Sequence, residues 1–319
     1  MATKKAPIVY HPSYNITFWN LEKKYKNIHR FLIESGLFTI NSFHEPSPPT
    51  PLDLEDVHSK QYLDSLNSNA KLQRILEVPF VTMLPHSLVK KKVLEPMLLQ
   101  TGGSVLAAEL ALENGWGINL GGGFHHAHYN DGGGFCVYAD ITLIVKKMLS
   151  NYPDKVSRVM IIDLDAHQGN GHERDFAHDN KVHIIDAFNF HIYPQDRYAY
   201  SSITTPVRLT TPELKKDEKY LQSIQSAILQ SFHEFRPNFV IYNAGTDCLE
   251  GDPLGSMNLS KDAILKRDEL VFRTAISNGV PIVMLLSGGY QKKNAEIIST
   301  SILNIINKFG LLEKIGTSN

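Results

Sequence analysis

Cysteine is scarce in this sequence of 319 residues, since only Cys136 and Cys248 are present and they lie too far apart to build a disulfide framework. A chain without such a framework is typical of a reducing compartment, so the cytosol or the nucleus is expected. No apolar run approaches the length of a membrane span, and residues 1–10 lack the apolar core of a cleavable signal peptide. The sequence therefore predicts a soluble protein that is not secreted through such a peptide.

An excess of charge is missing as well. The 32 basic and 33 acidic residues give a formal net charge of -1. Proteins that bind nucleic acids or anionic membranes usually carry a basic surface. The composition therefore gives no reason to expect either partner.

Apolar runs of strand length alternate with longer amphipathic stretches along the chain. The predicted strands are residues 117–120, 159–164, 182–185, 239–242 and 281–286. The predicted helices, in which apolar residues recur every three or four positions, are residues 96–113, 212–235, 261–277 and 292–307. This alternation indicates an α/β fold with a parallel sheet, and the length allows one or two domains.

Polar and glycine-rich segments follow several of these strands, at residues 121–128, 165–172, 243–252 and 287–290. In open parallel sheets, ligands bind at the carboxyl ends of the strands. We therefore expect these segments to meet in one crevice although they are distant in sequence.

The run Ile-Ile-Asp-Leu-Asp-Ala-His places Asp163, Asp165 and His167 at the end of an apolar strand. Burying a carboxylate without compensation costs on the order of several kcal/mol. A metal ion would supply that compensation. The alternative is that these residues cap loops and pair with Arg158 or Arg174, but three such side chains together favour a metal site.

Asp247, in Asn-Ala-Gly-Thr-Asp, follows another apolar strand and is expected in the same crevice. Taken alone, it is an ordinary turn residue. With Asp165 and His167 it completes a set of three oxygen and nitrogen ligands. Such a set, with an open fourth position, is typical of a catalytic zinc site and also suits ferrous iron.

Two adjacent histidines, His125 and His126, follow three glycines whose backbone can approach a ligand closely. Histidine exchanges protons near neutral pH. The pair could therefore take a proton from an attacking water and return one to a leaving amine. His128, two positions further on, is interpreted as a surface residue.

Tyr290 follows Ser-Gly-Gly at the end of the last predicted strand. A phenol in the crevice could donate a hydrogen bond to a developing oxyanion. Any one of the 13 tyrosines is more often a packing residue, so only the shared crevice singles out Tyr290.

The order and the residues of these segments resemble those of the zinc-dependent histone deacetylases. The matching motifs are Gly-Gly-Gly-Phe-His-His, Gly-Gly-Gly-Phe-Cys, Asp-Leu-Asp-Ala-His-Gln-Gly-Asn-Gly, Asn-Ala-Gly-Thr-Asp and Ser-Gly-Gly-Tyr. Gln168 to Gly171, Ser287 to Tyr290 and the Tyr-Asn-Ile-Thr-Phe of Tyr14 to Phe18 are most similar to the class IV branch. The resemblance extends from about residue 8 to residue 306.

The resemblance implies one arginase-like α/β domain, residues 1–319 with a core at about 8–306, and an eight-stranded, mainly parallel sheet. It implies a narrow tunnel that admits an acylated lysine to a zinc ion. By position, Asp165, His167 and Asp247 match the zinc ligands. His126 matches the general base and acid, and His125 its companion.

Further positions are assigned by the same resemblance. Asp163 matches the carboxylate bonded to His125, and Asn170 the residue that orients His126, where class I relatives carry an aspartate. An amide stabilises an imidazolium less than a carboxylate does, so a lower His126 pKa is expected. The residues matching the tunnel wall are Gly134, Phe135 and Tyr193. Those matching a monovalent cation site, normally for potassium, are Asp163, Asp165, His167 and Asp186.

The sequence departs from the class IV pattern after Glu22 and Lys23, where His-Pro-Phe-Asp is expected and Lys24-Tyr25-Lys26-Asn27 stands instead. The departure concerns the tunnel entrance and leaves the zinc-binding motifs intact.

The expected function is zinc-dependent removal of acetyl or longer acyl groups from the Nε of lysine in proteins, with the acylated protein as partner and a role in chromatin regulation. One alternative is a small-molecule amidohydrolase acting on an acetylated polyamine or amino sugar. The other is a scaffold that binds acyl-lysine or metal without turnover. Acyl chain length, the natural substrate and the oligomeric state are not predicted.

Overall fold

The strands of the protein form one parallel sheet in a computed structural model that describes residues 5–16, 23–313 and 315. The strands are β1 (Ile8–Val9), β2 (Trp116–Asn119), β3 (Val159–Asp163), β4 (Val182–Phe188), β5 (Thr205–Arg208), β6 (Phe239–Asn243) and β7 (Ile282–Leu285). Their order across the sheet is β1-β2-β7-β6-β3-β4-β5, and each neighbouring pair is parallel.

The predicted α/β class and parallel sheet are confirmed, and the five predicted strands are present as β2, β3, β4, β6 and β7. All five are buried along their length, which explains their continuous apolar runs. The described residues contain seven strands, one fewer than the eight expected. The sequence did not indicate β1, which has two residues, or β5, an edge strand that is largely exposed and contains Pro206.

Helices cover both faces of the sheet. In the described residues they are α1 (Lys24–Glu34), α2 (Pro51–Val57), α3 (Lys60–Ser65), α4 (Asn69–Leu76), α5 (His86–Val89), α6 (Glu95–Asn114), α7 (Asp140–Asn151), α8 (Asn170–Asp175), α9 (Arg197–Tyr200), α10 (Thr211–Lys215), α11 (Asp217–Phe235), α12 (Lys261–Ser277) and α13 (Asn294–Phe309). Short 3-10 turns lie at Pro12–Tyr14, Ile40–Ser42 and Val81–Met83, and a π-helical turn at Lys90–Leu94.

The prediction of one helix over residues 212–235 is wrong, because Lys216 has an extended backbone and separates α10 from α11. Contacts with a distant segment explain the break. The carbonyl of Leu214 accepts a hydrogen bond from the amide of Asn258, and the carboxylate of Asp217 accepts one from the amide of Ser260. A continuous helix would use the Leu214 carbonyl within itself.

Alternate residues of the central strands point into two separate cores. Met160 and Ile162 of β3 pack with α1, α11, α12 and α13, whereas Val159 and Ile161 pack with α6 and α7. A third apolar cluster joins α3, α4 and the start of α6 to residues 124–139. No helix of the described residues is long and apolar enough to cross a membrane.

Candidate active site

The segments that carry the predicted site residues meet at one edge of the sheet. Strands β2, β7, β6 and β3 are neighbours and parallel, so their carboxyl ends lie side by side. Asp163 at the end of β3 pairs with Asn243 of β6, which in turn pairs with Leu285 of β7. The loops after these strands therefore begin at the same level of the sheet.

Asp165, His167 and Asp247 form a buried cluster at this edge. Their potential ligand atoms lie within 4.8 Å of one another. The His167 Nδ1 atom is 2.8 Å from Asp247 Oδ2 and 3.2 Å from Asp165 Oδ1. A Cβ atom on Gly245 would lie 2.0 Å from Asp165 Oδ2, so glycine is required for this close approach. The three side chains could hold one metal ion.

The electrostatics of this cluster favour a cation. Burial, followed by the charge of Asp165, raises the pKa of Asp247 to about 7. Burial alone would lower the pKa of His167, but its hydrogen bonds to Asp165 and Asp247 raise it to about 11. Two carboxylates that face each other in a buried site are stabilised by positive charge, and a divalent metal supplies it directly.

The arginines that could have neutralised these carboxylates lie elsewhere. Arg174 donates to Asp196 at 2.6 Å, and the Arg158 guanidinium lies over the ring of Phe235. The alternative reading, in which the acidic residues form ordinary arginine pairs, is therefore not supported by the geometry.

His125 and His126 lie side by side, with ring centroids 4.1 Å apart. The Nδ1 atom of His126 is 2.7 Å from Asn170 Oδ1, so it donates to that acceptor and leaves Nε2 with a lone pair. Burial lowers the pKa of His126 well below its usual range, the charge of His125 lowers it further, and the bond to Asn170 acts in the opposite direction. His126 is therefore neutral and able to accept a proton.

His125 has the opposite electrostatic character. Its Nδ1 atom lies 2.9 Å from Asp163 Oδ2, and its Nε2 atom lies 3.7 Å from Asp165 Oδ1. Burial alone would lower the pKa of His125, but the charges of Asp163 and Asp165 raise it to about 9. One imidazole of the pair is thus cationic and the other neutral.

Asp163 is held by more partners than the sequence indicated. Its Oδ2 atom also lies 2.9 Å from the Nε2 atom of His172, and its Oδ1 atom accepts from the Asn243 amide at 2.9 Å. Both partners are buried. Asn243 could have been inferred from its place at a strand end, whereas His172 gave no signal beyond its position in the glycine-rich segment.

A second group of potential ligands lies behind the first and contains Asp163, His172 and Asp186. The family resemblance predicts a monovalent cation at Asp163, Asp165, His167 and Asp186. The structure brings Asp163 and Asp186 together, whereas the side chains of Asp165 and His167 belong to the first cluster.

The predicted wall residues contact either His126 or Tyr290. Tyr193 is 44% exposed, and its ring centroid is 5.0 Å from that of His126. Gly134 lies between them, because a Cβ atom there would be 2.9 Å from His126 Nε2 and from the Tyr193 ring. The Phe135 ring contacts the Tyr290 ring at 5.9 Å between centroids. Gly134 and Phe135 also line a pocket together with Tyr290, His126 and Asp165, whereas Tyr193 is not part of its lining.

The residues that differ from the class IV pattern, Lys24 to Asn27, form the first turn of α1. They contribute to the pocket and not only to the predicted tunnel entrance. Lys24 and Tyr25 both line the pocket. Thr17 and Phe18, part of the class IV motif, lie outside the described residues. His128 is partly buried and pairs with Asp131 through its backbone, away from the cluster.

Comparison with known proteins agrees with this geometry. Residues 20–306 match the histone deacetylase domain. The chain is 45% identical over 316 residues to histone deacetylase 2 of Arabidopsis thaliana, which covers 97% of this chain and 80% of that protein. It is 29% identical over 277 residues to a probable deacetylase of Archaeoglobus fulgidus, across 83% of this chain and 74% of that protein.

The fold agrees as well. The crystal structure of the HDA15 HD domain superposes with a TM-score of 0.73 at 19% identity, covering 99% of this chain and 92% of that one. The resemblance noted in the sequence is thereby confirmed, and this chain belongs to the histone deacetylase family.

Proposed function

We propose that this protein removes acyl groups from the Nε of lysine in proteins or peptides, with zinc as the metal. The observation that carries the proposal is the meeting of three buried potential ligands with a neutral His126, beside a pocket that Asp165, His126, Phe135 and Tyr290 line. The name of the Arabidopsis relative supports a protein substrate. The residues of the glycine-rich motifs further support assignment to the class IV branch.

Zinc fits the cluster because two carboxylates and one imidazole leave a fourth position open. Asp165, His167 and Asp247 would hold it. When bound, zinc supplies a Lewis acid that polarises the amide carbonyl and activates water. Ferrous iron suits the same ligands, so metal analysis of the purified protein is needed to decide between them.

His126 moves the proton in this proposal. Its Nε2 atom lies next to Gly134, and both residues line the pocket, so a water that attacks the amide can pass its proton there. The resulting imidazolium then protonates the departing lysine amine. Because Asn170 is an amide, it gives that imidazolium less stabilisation than a carboxylate would, which favours release of the proton.

Tyr290 lies on the other side of the pocket and would donate a hydrogen bond to the oxyanion. Burial, followed by the charges of Asp247 and Asp165, holds the pKa of its phenol well above the usual range. The hydroxyl therefore remains protonated and can donate throughout the reaction.

The acyl group would occupy the apolar part of the same pocket. Beyond the histidines, the lining includes Ile16, Tyr25, Met97, Phe124 and Cys136. These side chains offer no charge to an acyl chain and can bury its methylene groups, which favours acylated over free lysine.

We also propose a potassium ion beside Asp163 and Asp186. Asp163, Asp186 and Glu173 are buried close together, and burial followed by the charges of Asp163 and Glu173 raises the pKa of Asp186 well above its usual range, so a nearby cation would stabilise the ionised carboxylates. Potassium chloride should then raise the thermal midpoint of unfolding more than choline chloride of equal ionic strength. Equal effects of the two salts would contradict a bound ion.

The deciding experiment compares purified, zinc-loaded protein on three substrates: an acetyl-lysine peptide, a long-chain acyl-lysine peptide and an acetylated polyamine. We expect turnover of at least one peptide, with the peptide that carries an unacylated lysine and the carboxylic acid as products. Turnover of the polyamine alone would show a small-molecule amidohydrolase. Peptide binding without any turnover would show a non-catalytic scaffold.

A further inference from the structure

The loop that carries Tyr290, residues 287–290, has an unusual backbone. Ser287 has a positive φ of 43°, and Gly289 has a φ of 127°. Residues other than glycine seldom adopt positive φ, and such conformations persist only where surrounding contacts hold them. The position of the Tyr290 hydroxyl therefore depends on what binds this loop.

Lys24 binds the loop from one side. Its Nζ atom donates to the carbonyl of Ser287 at 2.7 Å and to the carbonyl of Gly288 at 2.9 Å. The lysine comes from the first turn of α1, and its ammonium is partly buried in the wall of the pocket. A hydrogen bond from a charged donor is stronger than one between neutral groups.

Asp252 binds the loop from its other end. Its Oδ2 atom accepts from the backbone amide of Tyr290 itself at 2.8 Å. Its Oδ1 atom accepts from the amides of Leu254 at 3.0 Å and Gly255 at 3.3 Å. The carboxylate is 7% exposed, so water competes little for these bonds. Gly255 in turn packs against the backbone of Asp247, which links the loop to a candidate metal ligand.

We propose that Lys24 and Asp252 are positioning residues that hold the Tyr290 hydroxyl where it meets the oxyanion. The inference rests on the proposed role of Tyr290. The Lys24 ammonium donates hydrogen bonds to two carbonyls of the loop, and the Asp252 carboxylate accepts one from its last amide. The two residues therefore hold opposite ends of one short segment. They act through Tyr290 and need not touch the substrate.

Two substitutions remove these contacts with little change of volume. Lys24→Met keeps an unbranched side chain and loses the donor. Asp252→Asn keeps the shape but places an amide NH₂ opposite either the Tyr290 amide or the amides of Leu254 and Gly255, where two donors would face each other. Each change should therefore shift the loop without opening a cavity.

The test is a double-mutant cycle with Tyr290→Phe, measured as kcat and KM on an acyl-lysine peptide. In the wild-type background we expect each substitution to lower kcat by about tenfold with KM changed by less than about twofold, a coupling within the usual range for contacting residues. In the Tyr290→Phe background the same substitution should lower kcat by less than about twofold. Equal fold losses in both backgrounds would overturn the proposal.

Matched controls separate positioning from general destabilisation. Lys26→Met lies in the same helical turn and Asp262→Asn at the start of α12, and both side chains are exposed. Neither should change kcat. Lys24→Arg retains a charged donor and should recover most of the activity lost in Lys24→Met. Failure of that rescue, with zinc content and thermal midpoint unchanged, would count against the lysine's role.

A measurement on the protein without substrate tests the positioning of Tyr290 separately from the proposed enzymatic function. Site-specific 3-fluorotyrosine at position 290 should give one sharp ¹⁹F NMR resonance, which shifts or broadens in Lys24→Met and in Asp252→Asn but not in the two controls. An unchanged resonance in both variants would refute positioning even if the enzyme is active. A shifted resonance in a protein without turnover would support positioning while the proposed function fails.

Discussion

Protonation of His58 should destabilise the segment that contains the predicted wall residues Gly134 and Phe135. The imidazole is 1% exposed and connects two backbone groups of the segment that contains Gly134 and Phe135. Its Nδ1 atom lies 3.0 Å from the carbonyl of His128, and its Nε2 atom accepts from the amide of Ala139 at 3.0 Å. The neutral ring satisfies both groups, whereas the doubly protonated ring would oppose the Ala139 amide with a second donor.

The magnitude follows from the pKa. Burial lowers the pKa of His58 to about 4, whereas an unfolded histidine has a pKa of about 6.5. The stability that comes from the neutral ring is fully present above about pH 6.5, the unfolded pKa. It is lost as the pH falls toward about 4, the pKa of His58 in the folded protein. Between pH 7.5 and pH 5 the unfolded state gains a proton that the folded state does not, which costs about 2 kcal/mol of unfolding free energy.

The measurement is urea unfolding, followed by circular dichroism, at several pH values between 7.5 and 5. His58→Gln can keep a donor and an acceptor but cannot titrate. Its unfolding free energy should fall about 2 kcal/mol less than that of the wild type over this range. His233→Gln is the matched control, because it makes the same substitution at an exposed residue of α11, away from the segment that His58 connects.

The result that would refute the reasoning is a His58→Gln protein with the same pH dependence as the wild type. Such a result would mean that other groups account for the whole acid sensitivity. A lower stability of the variant at pH 7.5 would not bear on the question, because it reports lost packing rather than proton uptake.

Three other predictions concern the site directly. Asp247→Ala should lose most bound zinc and activity, measured by metal analysis, whereas exposed Asp262→Ala should retain one zinc per chain. Tyr290→Phe should keep its zinc and lower kcat/KM by about 10²- to 10³-fold, and a wild-type value would exclude the oxyanion role. A hydroxamate with a linear linker should inhibit by reaching past Phe135 and Tyr193. If no such compound inhibits the active enzyme at high micromolar concentration, the predicted tunnel is wrong.

Local sequence patterns were sufficient to predict which segments carry the candidate site residues. Asp163, Asp165 and His167 could be placed at a strand end because an apolar run followed by polar residues is a local pattern. The same reasoning placed Asp247 and Tyr290 after later strands. Because ligands bind at the carboxyl ends of parallel strands, these segments were then predicted to lie close together.

The other residues of the site could be identified only from contacts in the folded protein. Lys24 reaches the carbonyl of Ser287 across 263 positions of sequence, and Asp252 reaches the Tyr290 amide across 38. No periodicity marks such contacts, because they depend on the order of strands in the sheet and on the path of each loop. His172 is a further example, since it lies on α8 and contacts Asp163 at the end of β3.

The break between α10 and α11 has the same physical reason. Residues 212–235 have a helical pattern, but Lys216 is extended because Leu214 and Asp217 bond to the segment at Asn258 and Ser260. Local patterns specify what a segment can form on its own. Hydrogen bonds and packing between distant segments, which a pattern does not contain, select the final geometry.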